Sequence, residues 1–477
     1  MDEGHMEPRK RASLVSATTK QEAEGRISES GSSPESWTWV EGCVWTEAML
    51  AALGNGVKGG KWFSLMDKVY APKTLAAAWQ RVQANAGACG VDQMSVGIFA
   101  ANSQRYLTEL SQAIRSGSYE PQAIRRVTIA KAGGGERPLG IPTVKDRIAQ
   151  TALKFVLEPV FEREFLDSSY GFRPQRGCKD ALREVQKLLN AGRVWVVDAD
   201  LKSYFDTISH EMLMEKLKRR IADGKVLHLI ERYLQQEIVA QLSHWVPTMG
   251  SPQGAVISPL LANVYLHDLD QEMANAGYKM VRYADDFVVL CESQEQAQAA
   301  LARVTEWVQV HQLTLHPDKT HIGNCMERGQ GFDFLGYRFE AGHRNIRRKS
   351  INAFRDKVRA LTRRNCGQSL KYLVDRLNPM LKGWLGYFKH AKGGIFANLD
   401  GFVRRRLRSI LCKHNKLGYY HRSKAISQRW PKTYFANLGL FTLYEARAAA
   451  SQSRCGNSQL ESRMRENRTY GSEGGVI

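Results

Sequence analysis

The chain has 477 residues, which is enough for two or three domains that each bury their own core. No run of about 18 apolar residues suggests a membrane span, and the eight cysteines are scattered without a CxxC pair, so neither a disulfide framework nor a cysteine zinc site is predicted. The formal net charge of +20 at pH 7 favours a polyanionic partner. Because no secretory leader is recognisable, we expect a reducing cytoplasm.

The positive charge is concentrated in one segment. Residues 344–432 contain 24 Lys and Arg against three acidic residues, a net charge of +21, whereas the rest of the chain sums to about −1. A surface that is merely solvated would spread its charge evenly, and charge blocks of this kind usually bind nucleic acid. The segment is therefore predicted to be a nucleic-acid-binding surface.

The first 58 residues are rich in Ser, Glu and Gly and lack sustained periodicity, so we predict a flexible extension. The apolar patch from Trp37 to Leu53 is compatible with one helix. From Leu65 to Val82 apolar residues recur at helical spacing, and the folded part of the chain is predicted to begin there.

Residues 124–142 read as two short strands joined by a glycine turn, which predicts a basic hairpin. A helical pattern follows and runs up to a loop at 169–173. The apolar run 194–200 predicts a buried strand that ends in an acidic residue. Residues 280–290 predict a tight hairpin with buried strands and an exposed tip. Beyond about residue 350 helical periodicity dominates.

Three aspartates occupy the ends of these predicted strands: Asp200 closes the first, and Asp285 and Asp286 lie at the hairpin tip. A single aspartate at a strand end is usually a turn former or a helix cap. If the two strands are neighbours in one sheet, the three carboxylates form a cluster that suits magnesium. Two divalent cations about 4 Å apart serve in-line phosphoryl transfer. The pattern therefore predicts a site for two Mg²⁺ ions.

Four other side chains are candidates for nucleotide binding. Phe205 follows Asp200 by five residues, which would place its ring under the sugar of an incoming nucleotide, although the spacing alone fits a core phenylalanine equally well. Lys131 and Arg137 flank the glycine turn and could clamp a triphosphate, although alone they would be ordinary surface cations. Gln253 lies in a Pro-Gln-Gly turn and can hydrogen-bond to a base or sugar.

The motifs resemble, in wording and order, those of the reverse transcriptases encoded by bacterial group II introns. The resemblance runs from about Leu65 to about Tyr444. Its motifs are RPLGIPTVKDRI (137–148), SSYGFRPQRG (168–177), DLKSYFD (200–206), GSPQG (250–254) and YADD (283–286).

The resemblance implies an α+β fold of the right-hand polymerase type, with fingers, a palm built on an antiparallel sheet, and an α-helical thumb and maturase domain. The implied domains are a flexible extension (1–58), the N-terminal extension and fingers (59–190), the palm (191–342), the thumb and maturase region (343–450) and a flexible tail (451–477).

By the same resemblance, Asp200, Asp285 and Asp286 are the catalytic palm carboxylates, and the carbonyl of Leu201 helps to hold a metal ion. Phe205 matches the family's sugar gate, and Lys319 matches a lysine that approaches the pyrophosphate leaving group. The implied nucleotide-binding set is Lys131, Arg137, Phe205, Gln253 and Lys319, and the implied primer grip is Phe334, Leu335 and Gly336.

The thumb and maturase region is implied to bind intron RNA, which agrees with the charge block. The candidate RNA-binding residues are Arg363, Arg364, Lys382, Lys389, Arg404, Arg405, Arg406 and Arg408. Group II intron RNA, an RNA template with a DNA primer, dNTPs and target DNA are the implied partners. After Tyr444 the sequence has one cysteine and no histidine, so we expect no zinc endonuclease domain of the kind that some family members carry.

The resemblance implies an RNA-directed DNA polymerase that also assists group II intron splicing and mobility. Two alternatives stay open at this point. The chain could be an RNA-binding splicing cofactor with a vestigial polymerase, against which the intact acidic trio speaks. It could also be a reverse transcriptase recruited to phage defence, CRISPR spacer capture or diversity generation, against which the basic segment speaks.

Overall fold

The computed structural model describes residues 37–130, 136–241, 243–365, 367–417 and 423–450. Most of the predicted N-terminal extension, the predicted tail and Lys131 therefore lie outside the described residues.

The helix that was expected across Trp37 to Leu53 is shorter than the apolar patch. It covers only Glu47–Asn55, because Thr46 caps its start by accepting a hydrogen bond from the Met49 amide and Gly56, with a φ of 84°, ends it. Between Trp37 and Thr46 the chain consists mainly of turns.

Helices α1 to α5 share one hydrophobic core with a long buried helix, Val144–Glu162, which is α6. The helical run predicted from Leu65 to Val82 is divided into two helices, since Pro72 can begin a helix but cannot continue one. The helices are α1 (Glu47–Asn55), α2 (Met66–Val69), α3 (Pro72–Asn85), α4 (Val96–Ala101), α5 (Ser103–Ser116), α6 (Val144–Glu162) and α7 (Cys178–Asn190).

The predicted basic hairpin consists of β1 (Ile124–Ala130) and β2 (Glu136–Ile141), which pair antiparallel. Two short strands, β4 (Ile238–Ala240) and β5 (Ser243–Trp245), extend this sheet in the order β2-β1-β4-β5. Arg137 lies on β2 of this sheet.

A second sheet, which we call the palm sheet, holds both predicted acidic strand ends. Its strands are β3 (Trp195–Asp200), β6 (Lys279–Tyr283), β7 (Asp286–Cys291) and β8 (His321–Asn324), in the order β6-β7-β3-β8. All three pairings are antiparallel. The helices inserted between these strands are α8 (Tyr204–Thr207), α9 (His210–Lys218), α10 (Gly224–Leu234), α11 (Ser258–Asn275) and α12 (Gln294–Val310).

A small three-stranded sheet follows the palm sheet and leads into a helical domain. Its strands are β9 (Phe332–Phe334), β10 (Tyr337–Glu340) and β11 (His343–Ile346). The helices that follow are α13 (Arg348–Leu361), α14 (Leu370–Phe388), α15 (Gly394–His414), α16 (Ser423–Arg429) and α17 (Lys432–Asn437). The change from mixed to helical structure thus falls where the periodicity predicted it.

The palm sheet separates two hydrophobic cores. Along β7, Phe287, Val289 and Cys291 contribute to one core, and Val288 and Leu290 contribute to the other, as the alternation of side chains in a strand requires. The first core includes α3, α6 and α11, and the second includes the β9–β11 sheet with α14 and α15. The sheet therefore ties the N-terminal and C-terminal helices together.

These features confirm the predicted fold class, an α+β chain with an antiparallel sheet and a helical C-terminal domain. Among the described residues, none of the helices combines the length and apolar character that crossing a lipid bilayer requires.

One buried carboxylate on α6 connects the segments that lead into β1 and β4. Asp146, which is 1% exposed, accepts hydrogen bonds from the Tyr119 hydroxyl at 2.6 Å and from the Gln122 amide at 3.2 Å. The side chain of Gln236 also donates to it. Burial raises the pKa of Asp146 from 3.8 to about 6, although the hydrogen bonds from Tyr119 and Gln122 act in the opposite direction.

This pKa predicts a pH dependence of stability that Asp146→Asn should remove. Because the native protein holds this proton more tightly than the unfolded chain, the group's contribution is complete below about pH 4 and is lost as the pH rises through about 6. We expect the wild type to lose about 2 kcal/mol of unfolding free energy relative to the variant between about pH 4 and pH 7. Urea denaturation at both pH values measures this, and parallel pH profiles for the two proteins would contradict it.

Candidate active site

The strand that ends at Asp200 lies beside the strand that begins at Asp286, as the sequence predicted. In the antiparallel register of β3 and β7 these two residues are directly opposite each other. Asp285 precedes β7 in the two-residue turn that joins it to β6, where Ala284 adopts a φ of 61°. The palm sheet therefore brings the three predicted carboxylates to one end.

A lysine stands against this acidic end. The Lys319 ammonium donates a hydrogen bond of 2.6 Å to the Asp200 carboxylate. The backbone around it is fixed to the same strand, because the His316 amide donates to the Asp200 carbonyl and the Lys202 amide donates to the Thr314 carbonyl, each at 2.8 Å. The Lys319 side chain is 58% exposed, so it can turn away from Asp200 without disturbing the core.

The carboxylates destabilise one another's charged forms. Burial, followed by the charges of Asp198, Asp200 and Asp285, raises the pKa of Asp286 to about 7. Burial and the charge of Asp200 raise the pKa of Asp285 as well. Added positive charge near these carboxylates would stabilise their ionised forms.

Asp198 is an acidic residue of this site that the motif analysis missed. It lies two positions before Asp200, so both side chains project from the same face of β3. Burial raises its pKa to about 7, and its carboxylate accepts a hydrogen bond from the backbone of Asp333. The signal was present in the sequence as an acidic residue inside an otherwise apolar strand.

The aspartate carboxylates of this site are oxygen ligands of the kind that a hard divalent cation prefers. A bound cation would also offset the repulsion between their charges. Within the described ranges, however, no group of three or more His, Cys, Asp or Glu side chains is already arranged closely enough to hold a metal ion. The ammonium of Lys319 lies on Asp200 and supplies positive charge there. Leu201, the predicted carbonyl ligand, is held next to these residues by a bridge to Leu315.

The residues predicted to bind a nucleotide are partly brought together. Phe205 and Gln253 line the same cavity of about 320 Å³. The Arg137 side chain donates a hydrogen bond of 3.2 Å to Gln253, and the Gly140 amide donates one of 2.6 Å to the Gln253 carbonyl. The β1–β2 hairpin is thus attached to the Pro-Gln-Gly loop. Lys131 is not among the described residues.

A buried polar network holds the turn that carries Asp285, and motif analysis did not assign it a role. Arg282, with no exposed side-chain surface, forms two hydrogen bonds with Asp270, at 2.7 and 2.5 Å. It also donates to the Ala284 carbonyl at 2.9 Å and to the Asn263 side chain at 3.0 Å. Asn263 in turn donates to the Gly171 carbonyl at 2.8 Å. These bonds support the left-handed backbone of Ala284.

The loop that contains Gly171 packs directly on this turn. A β-carbon at Gly171 would lie 2.2 Å from the Ala284 nitrogen, so only glycine allows this contact. The next residue, Phe172, has a φ of 59° and is 46% exposed. Its ring lies 6.4 Å from that of Phe205 in an edge-to-face arrangement. Phe172 is thus an exposed aromatic neighbour of the predicted sugar gate.

The predicted primer-grip residues form the hairpin between β9 and β10. Phe334 is fully buried, and Leu335 and Gly336 form a two-residue turn with φ values of 47° and 82°. Asp333 on the same hairpin donates its backbone N–H to Asp198, so the hairpin lies next to the acidic end of the palm sheet.

The candidate RNA-binding residues of the helical domain differ in exposure. Four of them are exposed, namely Arg363, Arg364, Lys382 and Arg405, and Lys389 and Arg404 are half-buried. The other two are engaged within the domain, since Arg406 donates to Thr362 and Arg408 donates to the Trp430 carbonyl. These bonds give both arginines a packing role.

Two family models match adjoining parts of the chain. Residues 129–339 match the reverse transcriptase (RNA-dependent DNA polymerase) model, and residues 351–430 match the maturase-specific domain of group II introns. The first match contains the acidic end of the palm sheet, and the second begins within α13.

Two curated relatives share substantial sequence identity with the chain. Protein YkfC of Escherichia coli is 33% identical over 327 residues, which are 60% of this chain and 84% of that protein. The group II intron-encoded protein LtrA of Lactococcus lactis is 37% identical over 204 residues, which are 42% of this chain and 33% of LtrA.

Solved structures resemble the chain more distantly. A chain of a partial Cas6-RT-Cas1–Cas2 complex is 25% identical with a TM-score of 0.33, over 52% of this chain and 43% of that one. Telomerase from Candida albicans is 14% identical with a TM-score of 0.38, over 70% of this chain and 68% of that one.

The contact between Gly171 and the Ala284 turn predicts that Gly171→Ala destabilises the protein. The added methyl group would meet backbone atoms that cannot rotate away, and such overpacking costs about 1–3 kcal/mol. Urea denaturation should show this loss. Gly177→Ala in the same loop is the control, because its methyl group would meet only the Asp180 carboxylate, at 3.8 Å. Equal stability of the two variants would contradict the close approach.

Proposed function

The chain belongs to the reverse transcriptases of group II introns that carry a maturase domain, and from this premise we propose how it acts. It extends a DNA primer on an RNA template, and it binds intron RNA to assist splicing and intron mobility. The observation that carries the proposal is the pairing of Asp200 with Asp286 beside Asp285, inside the region that matches the reverse transcriptase model. The chain spans only a third of LtrA, so its substrates and partners are inferred from its own residues.

The proposed catalytic residues are Asp200, Asp285 and Asp286. Together with the Leu201 carbonyl they would hold two Mg²⁺ ions. When bound, these ions supply the positive charge that activates a primer 3′-hydroxyl and stabilises a leaving pyrophosphate. Lys319 is exposed and paired with Asp200, so it can turn toward the pyrophosphate once Asp200 binds a cation.

Selection of the nucleotide is assigned to the cavity beside the β1–β2 hairpin. Phe205 would contact the sugar and exclude a 2′-hydroxyl, and Gln253 would lie under the templating base pair. Arg137 donates to Gln253 at present and would contact the triphosphate through its other guanidinium nitrogens. Lys131 would contact the same triphosphate.

The primer end is assigned to the turn formed by Phe334, Leu335 and Gly336. Its proximity to Asp198 through Asp333 supports this assignment, since a primer terminus must lie next to the catalytic carboxylates. The proposed domains are the N-terminal extension and fingers in 59–190, the palm in 191–342, and the thumb with the maturase region in 343–450.

Intron RNA is the proposed ligand of the helical domain. Its net charge of +21 over residues 344–432 supports binding dominated by phosphate contacts and weakened by salt. The exposed residues Arg363, Arg364, Lys382 and Arg405 are the first candidates for contact with the RNA. Lys389 and Arg404, which are half-buried, are further candidates. Target DNA would bind to the same positively charged domain through its phosphates. We propose that the protein works in the bacterial cytoplasm and associates with the nucleoid when it acts on DNA.

Neither alternative is favoured by a specific observation. A vestigial polymerase would not need three carboxylates on paired strands with a lysine against them. A role in phage defence, CRISPR or diversity generation would not need the region that matches the maturase-specific domain.

Removing the proposed metal-binding charges should abolish synthesis. Asp285→Asn with Asp286→Asn should reduce dNTP incorporation on a poly(rA)/oligo(dT) template with Mg²⁺ by about a hundredfold or more, because the site loses the charges that hold its cations. The control is Asp167→Asn with Asp318→Asn, which removes two charges from side chains that are 94% and 88% exposed. Incorporation by the first variant at the wild-type rate would refute the assignment.

Reversal of exposed charges in the helical domain should weaken RNA binding. Arg363→Glu with Arg405→Glu should lower intron RNA affinity by about tenfold or more at low salt and reduce the salt dependence of binding, since phosphate contacts are lost. Nucleotide addition on a saturating short primer should change much less. Lys218→Glu with Lys225→Glu makes the same change at exposed palm positions and is the control. Equal losses of RNA affinity in both variants, by filter binding, would contradict a localised surface.

A further inference from the structure

The turn at Leu335 and Gly336 has a backbone that requires outside support. Both residues have positive φ values, 47° and 82°. Gly336 adopts such a conformation at little cost, but Leu335 carries a β-carbon and is strained there. Strained residues persist only where surrounding structure holds them.

That support comes from the start of the helical domain. The Tyr387 hydroxyl on α14 donates a hydrogen bond of 2.8 Å to the Leu335 carbonyl. The Ser350 hydroxyl on α13 and the Arg347 amide each donate to the Gly336 carbonyl at 3.1 Å. Both carbonyls of the turn therefore have donors from the domain that follows the palm.

Tyr387 is itself held in place from two sides. The Tyr337 hydroxyl donates to the Tyr387 carbonyl at 2.5 Å, and the rings of these residues lie 5.9 Å apart. On the other side, the Cys178 thiol lies close to the hydroxyls of both Tyr387 and Tyr283. Tyr283 begins the turn that carries Asp285, so the Cys178 thiol connects Tyr387 to that turn.

We propose that Tyr387 is a positioning residue for DNA synthesis: its hydroxyl holds the Leu335–Gly336 turn, so that helix α14 of the maturase domain sets the place of the primer end. The inference rests on the proposed function, because it takes this turn to be the primer grip. It adds a physical link by which the domain that binds RNA also determines polymerase geometry.

Tyr387→Phe tests the proposal with the smallest possible change, since it removes one hydroxyl and keeps the ring. In the full-length protein we expect KM for the primer–template to rise about fivefold, the equivalent of one lost hydrogen bond. KM for the dNTP and affinity for intron RNA should stay within about twofold of wild type. Tyr372→Phe, at a residue of the same helix that is 43% exposed, is the control.

A second variant separates positioning from a general loss of structure. Ser350→Ala removes another bond to the same turn and should raise the same KM, and its effect should not add fully to that of Tyr387→Phe because both act through one turn. A merely structural defect would lower kcat by reducing the active fraction and leave the primer KM unchanged, which would overturn the proposal.

Two further results are decisive. A primer KM within about twofold of wild type in Tyr387→Phe would overturn this inference and leave the proposed polymerase intact. A wild-type protein that extends no primer would overturn both.

Discussion

The concentration of negative charge at one end of the palm sheet is the main physical constraint that the surrounding structure accommodates. Pairing of Asp200 with Asp286 places carboxylates opposite each other on adjacent strands, and Asp285 and Asp198 add to the same end. Each charge is partly buried and repels the others, so the arrangement is unfavourable by itself. It persists because backbone hydrogen bonds between strands fix the register, and a register shift would move every apolar side chain of the strands to the wrong core.

The surrounding residues either offset this charge or hold its geometry. Lys319 supplies a counter-charge from an exposed position, which leaves the carboxylates available to cations. Arg282 acts differently, since it is fully buried and paired with Asp270, and its remaining hydrogen bonds fix the backbone of the turn. A buried pair of this kind contributes little net stability but strongly penalises any conformation that breaks it. Any change in the conformation of the turn would therefore break buried hydrogen bonds of Arg282.

Positive charge is distributed unevenly between the polymerase region and the helical maturase region. The polymerase half is nearly neutral and relies on a few precisely held side chains, whereas the maturase half carries a net +21 over residues 344–432. Phosphate binding needs many cations and little geometric precision. The two halves meet at the Leu335–Gly336 turn, where Tyr387 and Ser350 from the helical domain bond to the palm hairpin. This contact is the physical basis of the proposed link between RNA binding and primer placement.

Several features followed from the sequence because they depend on local patterns. The strand ending at Asp200, the hairpin with Asp285 and Asp286 at its tip and the helical C-terminal domain are each encoded in apolar periodicity, which short segments carry by themselves. The basic segment followed from the numbers of basic and acidic residues alone.

Other features depend on residues far apart in sequence, and only the tertiary structure decided them. The bond from Asn263 to Gly171 and that from Tyr387 to Leu335 leave no periodic signal in either segment. The same holds for exposure within the basic block, where Arg405 faces solvent and Arg406 bonds to Thr362, because a helix turns 100° per residue and its neighbours decide which side is covered.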